Sequence, residues 1–405
     1  MKKSTIIALA ACGVGILLLI TGRLLFKGEY KGDNGMIIIN KNMTEKSFVC
    51  TNDIDKLVVN ETCYKARVTV KDVEKAEVRY FLNEEAEEVT VEDKNGELNF
   101  KREQKKGIRF DFISFDVNDY ATEIVLPKDF KGELIIKGIS GGLEVREITG
   151  TNVVVESSSG AVKVDNIKAG KLDVSTVSGS LKLNDAEVVG DLQVEASSGR
   201  VEINNIKAAE FKSSSVSGMI KLKDAEVAGD FGAEASSGRV EITNVKCKDF
   251  SSSTTSGANE IRKIEAKNAD VSASSGAVGC YEMTVTGNIK LTSVSGLIKL
   301  EESSAENVKS ESGSGAQKYI DVKLETIYTK SVSGAVSLER LDIGSAGEFH
   351  TSSGGVRGSV KGKESDFSVI TTTGSGSSNL TNTRTGEKKL DITTTSGGIR
   401  ITFEK

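Results

Sequence analysis

From about residue 140 onward the chain runs as short alternations of apolar and polar residues, interrupted at even intervals by a Ser-Gly pair. The phrase ASSGRVEI at Ala196–Ile203 returns unchanged at Ala235–Ile242, 39 residues later, with the looser SVSGMIKL of Ser215–Leu222 between the copies. The repeat glycines stand at 141, 160, 179, 199, 218, 238, 257, 276, 296, 315, 334, 354, 376 and 397, in steps of 19 or 20 until the last two, which are 22 and 21. Within a unit the apolar period is two: Val162 and Val164 flank Lys163, and Leu172 and Val174 flank Asp173. Runs this short cannot sustain free-standing helices. Alternation bounded by Ser, Gly, Asn and Asp predicts strands, and the fixed period predicts a solenoid. Leucine-rich repeats have a similar period, but their L-x-x-L-x-L-x-x-N core is missing.

Two columns follow from the phase. Two residues after the glycine come Val162, Leu181, Val201, Ile220 and Val240; four after it come Val164, Leu183, Ile203, Leu222 and Ile242. Both columns should stack inward at one strand spacing per coil, so about fourteen coils make a rod roughly 65 Å long. The position between them should face out. It reads Lys182, Glu202, Lys221, Glu241, which offers opposite charges on adjacent coils. The glycine suits a corner needing positive φ or a close coil-to-coil approach, and the Ser/Thr residues before it should form hydroxyl ladders that cap the turn. The expected fold is therefore all-β: a single-stranded β-solenoid (β-helix) of about 14 coils over residues 132–405, with an N-terminal β region and cap over 27–131 and a transmembrane segment over 1–26.

The first 26 residues carry Lys2 and Lys3, an uncharged stretch from Thr5 to Gly22, then Arg23. Some 18 apolar residues can just span a bilayer. An uncleaved anchor is favoured over a secretory signal because no small-x-small site follows the apolar run; Leu9–Cys12 also reads as a lipobox. The N-terminal lysines favour a cytoplasmic N-terminus. The expected location is a single-pass cell-membrane protein with its solenoid outside. Residues 27–131 contain strand-like pieces such as Lys56–Val59, Ala66–Val70 and Thr122–Leu126, and predict a small antiparallel β unit capping the first coil. At the other end, the coil Thr393–Phe403 followed by Glu404 and Lys405 predicts a charged terminal edge.

Composition bears on chemistry mainly by exclusion. There is one histidine, His350, in a turn-like setting, and no tryptophan. No His/Cys set has zinc-ligand spacing, and no phosphate loop, nucleophile elbow, dinucleotide fingerprint or calcium nonapeptide occurs. No catalytic, cofactor-binding or metal residue is therefore assigned, and no cofactor is expected. Of the cysteines at 12, 50, 63, 247 and 280, Cys50 and Cys63 flank a hairpin that oxidation could close, while Cys247 and Cys280 fall in different columns. The acidic groups Glu84, Glu85, Glu87, Glu88, Glu301 and Glu302 read as a solvated face. A net charge of −5 with mixed signs and 5% aromatics argue against nucleic acid as a partner. Arg200 and Arg239 lie two coils apart on one edge and suggest a contact with an anionic wall polymer or phosphate-bearing surface. The Thr371–Thr373 and Thr393–Thr395 runs are too irregular in phase for an ice-binding array.

The passage Thr122–Gly141, with Val125-Leu126-Pro127 ahead of the first Ser-Gly, and the repeated [ST]-x-S-G-x-[VIL]-x-[VIL] units after it resemble the DUF4097 family of candidate adhesins. The resemblance covers about residues 33–405 and implies a β-solenoid on a bacterial envelope protein, with no defined catalytic residues. Three functions compete: an adhesin-like binding or structural module, a sensory partner of an envelope-stress protein, and a polysaccharide lyase or hydrolase of the kind β-helices can host. The last would need clustered carboxylates in a groove with aromatic subsites, which the uniform repeat does not supply. The expected partners are an unidentified envelope protein or surface polymer, with the membrane reached through the N-terminal segment. The register itself is testable. Val201→Asp should cost several kcal/mol by burying an unpaired charge, and Glu202→Ala should stay within about 0.5 kcal/mol; equal melting temperatures for the two variants would refute the register.

Overall fold

The computed structural model describes residues 43–105 and 120–404. Their backbone is almost entirely β; one 3-10 turn, Glu364–Asp366, is the sole helical element among them. The transmembrane segment expected over residues 1–26 lies outside the described residues. Among those described, no helix is long and apolar enough to cross a membrane.

The repeat forms a parallel β-solenoid of about fourteen turns with three strand segments per turn. In the Gly199 turn, residues 201–204, 206–208 and 211–215 pair in parallel with 220–223, 225–227 and 231–235. The three corners have different physical origins. The second lies six residues after the glycine from Gly141 to Gly334 and uses a left-handed residue, as at Asn166 (φ 52°), Asp185 (φ 52°), Asn205 (φ 52°), Asp224 (φ 60°) and Asn244 (φ 60°). Asn and Asp tolerate that region better than other residues with a Cβ. The third corner absorbs the variation in period. Ala169 pairs with Val188, 19 residues on, whereas Leu172 pairs with Leu192, 20 residues on; the same step separates Ala266/Val285 from Ala269/Ile289. The extra residue thus enters at one place and leaves the other two faces in register.

The first corner is the glycine, and its requirement is space rather than positive φ. Among the described glycines only Gly96, Gly358 and Gly362 have positive φ. A Cβ added at Gly160, Gly199 or Gly238 would lie 1.8, 1.6 or 1.7 Å from the carbonyl oxygen of the corner glycine one turn back. The hydroxyl three residues earlier ties the corner down. Ser157 Oγ donates to the Gly160 carbonyl at 2.9 Å, and Thr176 Oγ1 and Ser331 Oγ accept from the N–H groups of Gly179 and Gly334 at 3.0 and 2.9 Å.

Inside, both predicted columns are buried, and a third joins them seven residues after the glycine: Ile167, Ala186, Ile206, Ala225, Val245 and Ile264. Phe211, Phe231 and Phe250 stack along the third face with ring centroids 4.8 and 5.1 Å apart. Two polar side chains interrupt the first column, Asn259 and Gln317. Asn259 accepts from Ser252 Oγ and donates to the Ser272 carbonyl, both at 2.7 Å; Gln317 donates to the Lys330 carbonyl at 2.8 Å and accepts from Tyr319 Oη at 2.7 Å. Hydrogen bonding of this kind is what allows polar groups in a core.

Both ends depart from the sequence reading. At the N-terminal end, Lys56–Glu61 and Ala66–Lys71 are not part of an antiparallel unit. They pair in parallel with Glu133–Gly138 and with the start of Leu143–Ser157, as one more turn of the stack; Tyr64 takes the place of the corner glycine, its carbonyl 1.8 Å from where a Gly141 Cβ would stand. Antiparallel pairing appears farther out, in Glu87–Lys94 on Glu97–Gln104 and in Glu77–Leu82, which pairs with Thr44–Val49 on one side and Thr122–Pro127 on the other. At the C-terminal end the last coil in sequence is not the last in space. Lys388–Thr394 lies between Val336–Thr351 and Phe367–Thr373, so the corner glycines stack in the order 354, 397, 376. The terminal edge is Phe367–Thr373, and polar side chains block it. Thr371 N–H donates to Asn382 Oδ1 at 2.7 Å, Thr383 N–H to the Val369 carbonyl at 2.9 Å, and Thr383 Oγ1 to the Phe367 carbonyl at 3.2 Å. Beside it, the Asn379 amide pairs with both backbone groups of Ile401, at 2.8 and 2.9 Å. A sheet edge satisfied in this way is a poor template for another chain.

Spacing at the glycine corner sets a paired prediction. Gly238→Ala should lower stability by more than about 3 kcal/mol through backbone overlap. Gly232→Ala meets nothing nearer than the Ser251 hydroxyl at 3.4 Å and should be neutral or stabilising by up to about 1 kcal/mol. Thermal melts of the two variants check both values.

Candidate functional site

Three outward faces and two blocked ends are the surfaces available for function. On the first face the expected column is in register, with Lys182, Glu202, Lys221 and Glu241 as successive neighbours. The ion pairs differ from those expected. Glu202 takes Arg200 at 3.2 Å, and Arg239 bridges Glu241 at 3.3 Å and Glu260 at 2.5 Å. Arg200 and Arg239 are therefore already neutralised by carboxylates, and the basic edge suggested by their spacing is not present as unpaired charge. A regular series of pairs that span coils lies on the second face: Lys168–Glu187 at 3.2 Å, Lys207–Glu226 at 3.1 Å and Lys246–Glu265 at 3.8 Å. The last two pairs line a shallow concavity of about 750 Å³ together with Asn205, Asp224 and Asn244. Asn244 donates to Asp224 and Asn205 to Asp185, both at 2.6 Å. Exposed pairs of this type contribute little stability each.

His350 is half-buried within the strand Val336–Thr351, not in a turn, with its ring 5.5 Å from that of Tyr328. The disulfide open to Cys50 and Cys63 is not formed: Cys50, Cys63, Cys247 and Cys280 are all free thiols. Burial pushes the Cys50 thiol up to about 11 and those of Cys247 and Cys280 up to about 12. Such thiols are poor nucleophiles at neutral pH. Cys12 lies outside the described residues. Glu301 pairs with Lys299 at 2.5 Å, and Glu302 occupies a left-handed corner at φ 49°. Among the described residues no three His, Cys, Asp or Glu side chains gather as a metal site.

Glu87 overturns the reading of its acidic run as a solvated face. It is buried at the N-terminal end of the stack with Glu61 and Arg102, each at most 1% exposed. Arg102 Nε lies 2.9 Å from Glu61, and its Nη1 bonds Glu87. Tyr64 Oη donates to Glu87 at 2.7 Å, Thr122 Oγ1 to Glu61 at 2.7 Å, and the Cys63 and Tyr64 N–H groups to Glu61 at 3.2 Å. Burial opposes the charge on Arg102, but the attraction of Glu61 and Glu87 outweighs it and raises the pKa. Strand parity carried a signal for this cluster. Arg102 is in phase with the buried Leu98 and Phe100, and Glu61 with Leu57 and Val59. The groups satisfy one another out of contact with solvent, so the cluster anchors the cap.

A stack of parallel turns with paired surface charges defines a β-solenoid repeat protein. The sequence profile of the Toastrack DUF4097 family matches residues 54–246, 186–319 and 239–402, and the chain belongs to that family. Among solved structures, a candidate adhesin from Parabacteroides distasonis is 15% identical, the match covering 73% of this chain and 98% of that one at a TM-score of 0.31. A candidate lipid-binding protein from the same species is 16% identical over 74% of this chain and 96% of that one, at 0.24. A candidate cell adhesion protein from Clostridium sporogenes is 10% identical over 90% and 100%, at 0.16. No curated protein matches the chain.

If the buried triad anchors the cap, Arg102→Met should cost about 3–5 kcal/mol by stranding two carboxylates. Those carboxylates would then take up protons more readily in the folded state, so their pKa values would rise on folding. The deficit should be largest near pH 8 and shrink toward pH 5. Urea melts at both pH values provide the check.

Proposed function

We propose that this protein is a non-enzymatic, adhesin-like binding or structural rod of a bacterial cell envelope. In this reading residues 1–26 hold it at the membrane, with the N-terminus cytoplasmic and the solenoid outside. The observation that carries the reading is the regularity of the stack. An extra residue is taken up at one corner without disturbing the other faces, and the concavity on the second face is shallow and lined by paired charges. A surface of this kind suits an extended or flat partner more than an enclosed small substrate. Blocked edges at the C-terminal end suit a rod that works as single units rather than as a filament.

The deciding experiment is retention of residues 27–405 on purified cell wall, whole cells and detergent-solubilised envelope proteins. Retention on wall or cells is expected. Capture of one envelope protein with no binding to wall would replace this reading with the sensory one.

A further inference from the structure

The repeat changes character at its C-terminal end. Every described arginine from Arg67 to Arg340 has a carboxylate partner within 4.0 Å. Beyond it, Arg357, Arg384 and Arg400 have no ion pair among the described residues; Arg384 stands alone on the connection before Lys388–Thr394, whereas Arg357 and Arg400 stand together. They are direct Cα partners on neighbouring parallel strands, Val356–Lys361 and Ile399–Glu404, and both are exposed. Parallel neighbours stand about 4.8 Å apart, and like charges directly opposite one another on a sheet are destabilising.

The local backbone is also irregular. Gly358, between the two strands' neighbours, has φ 135°, and a Cβ there would lie 1.7 Å from the Leu338 carbonyl oxygen. The ladder to Val336–Thr351 shifts register between Leu338 and Leu341. The result is an open concavity of about 450 Å³ on the first face, lined by Arg357 and Arg400 with Lys318, Glu339, Ser337 and Thr402. The nearby carboxylate is already engaged: Glu339 pairs with Arg340 at 2.9 Å and with Lys318 at 3.8 Å. Glu404, also on the rim, is four residues along the strand from Arg400, roughly 13 Å away. The Ser337 hydroxyl supplies a neutral donor beside the arginines, while the Thr402 hydroxyl donates to the Gly358 carbonyl at 3.3 Å.

We propose that Arg357 and Arg400 together form an oxyanion site that takes a phosphate group. Two adjacent guanidinium forks match the tetrahedral oxygens of phosphate and can each bond it through paired N–H groups. The bound anion removes the repulsion between the two side chains. The site is built by the tucked-in terminal strand, which brings Arg400 beside Arg357, 43 residues earlier in the chain. It deepens the binding-module reading by giving that rod a ligand chemistry, and it rests on that reading only for the source of the phosphate.

The test uses the full chain in mild detergent, melted in inorganic phosphate and in chloride at one ionic strength. A second arm measures sedimentation with vesicles containing phosphatidylglycerol, which distinguishes a membrane headgroup from a free or polymer-borne phosphate. Phosphate should raise the melting temperature by about 2 °C at saturation. The shift should vanish in Arg357→Gln/Arg400→Gln and persist in Arg200→Gln, whose arginine is already paired. In low-salt chloride, Arg400→Gln should melt no lower than the parent chain, because it relieves the repulsion. Vesicle binding lost in the double variant would also support the site and place its phosphate on a lipid. No response in either arm, or one that survives in the double variant, would overturn it. Failure of wall retention with the phosphate shift intact would count against the binding-module reading and leave the anion site standing.

Discussion

Successive turns of this solenoid meet at one corner so closely that the carbonyl of one glycine occupies the space a Cβ of the next would need. Everything else is arranged around that approach. Strand spacing sets the rise per turn, the corner glycine permits it, and the preceding Ser or Thr hydroxyl fixes the chain direction through the bend. The opposite corner can then be a single left-handed Asn or Asp, and the third can take in an extra residue without disturbing the other faces. Variation in length is tolerated where the backbone is loosest and refused where it is tightest.

A stack of identical turns has one weakness, its two open ends. Here each end is closed by reordering the chain. At the start, Lys56–Lys71 lies beneath strands that follow it in sequence; at the finish, Lys388–Glu404 lies beneath a segment that precedes it. Tucking a terminus inside means the outermost strand is held by covalent connections on both sides, so fraying from the tip must move more than the last few residues. The N-terminal end adds the buried Arg102 triad, and the C-terminal end adds the side chains of Asn379, Asn382 and Thr383, which imitate a missing strand.

Charge on the lateral faces is largely self-compensated, either between coils on the second face or by arginines next to the corner on the first. Compensation keeps a long rod soluble without building a strong field of one sign. It also means that specific recognition belongs where the compensation lapses. Among the described arginines that point lies toward the C-terminal tip, at Arg357 and Arg400, far along the chain from the proposed membrane anchor.

Sequence alone determined what depends on local periodicity. The strand alternation, the repeat length, the inward columns through Val201 and Ile203 and the need for glycine at the corner are all written in residues a few positions apart, and each follows from a period of two or a steric limit on one atom. Family membership was legible for the same reason. The number of faces was not, because the left-handed corner at Asn205 does not break the apolar alternation strongly enough to be read. Nor was the swap of the last two coils, since Gly376 and Gly397 carry the same phrase and only spatial pairing says which lies outside. Arg102, Glu61 and Glu87 lie on three separate strands, so their partnership exists only after those strands are brought together; strand parity marks Arg102 and Glu61 as inward-facing but not as each other's partners. The same holds for Arg357 and Arg400. Tertiary structure decided these features because each depends on neighbours supplied by chain reversal across many residues, and no local pattern records which strand will arrive beside which.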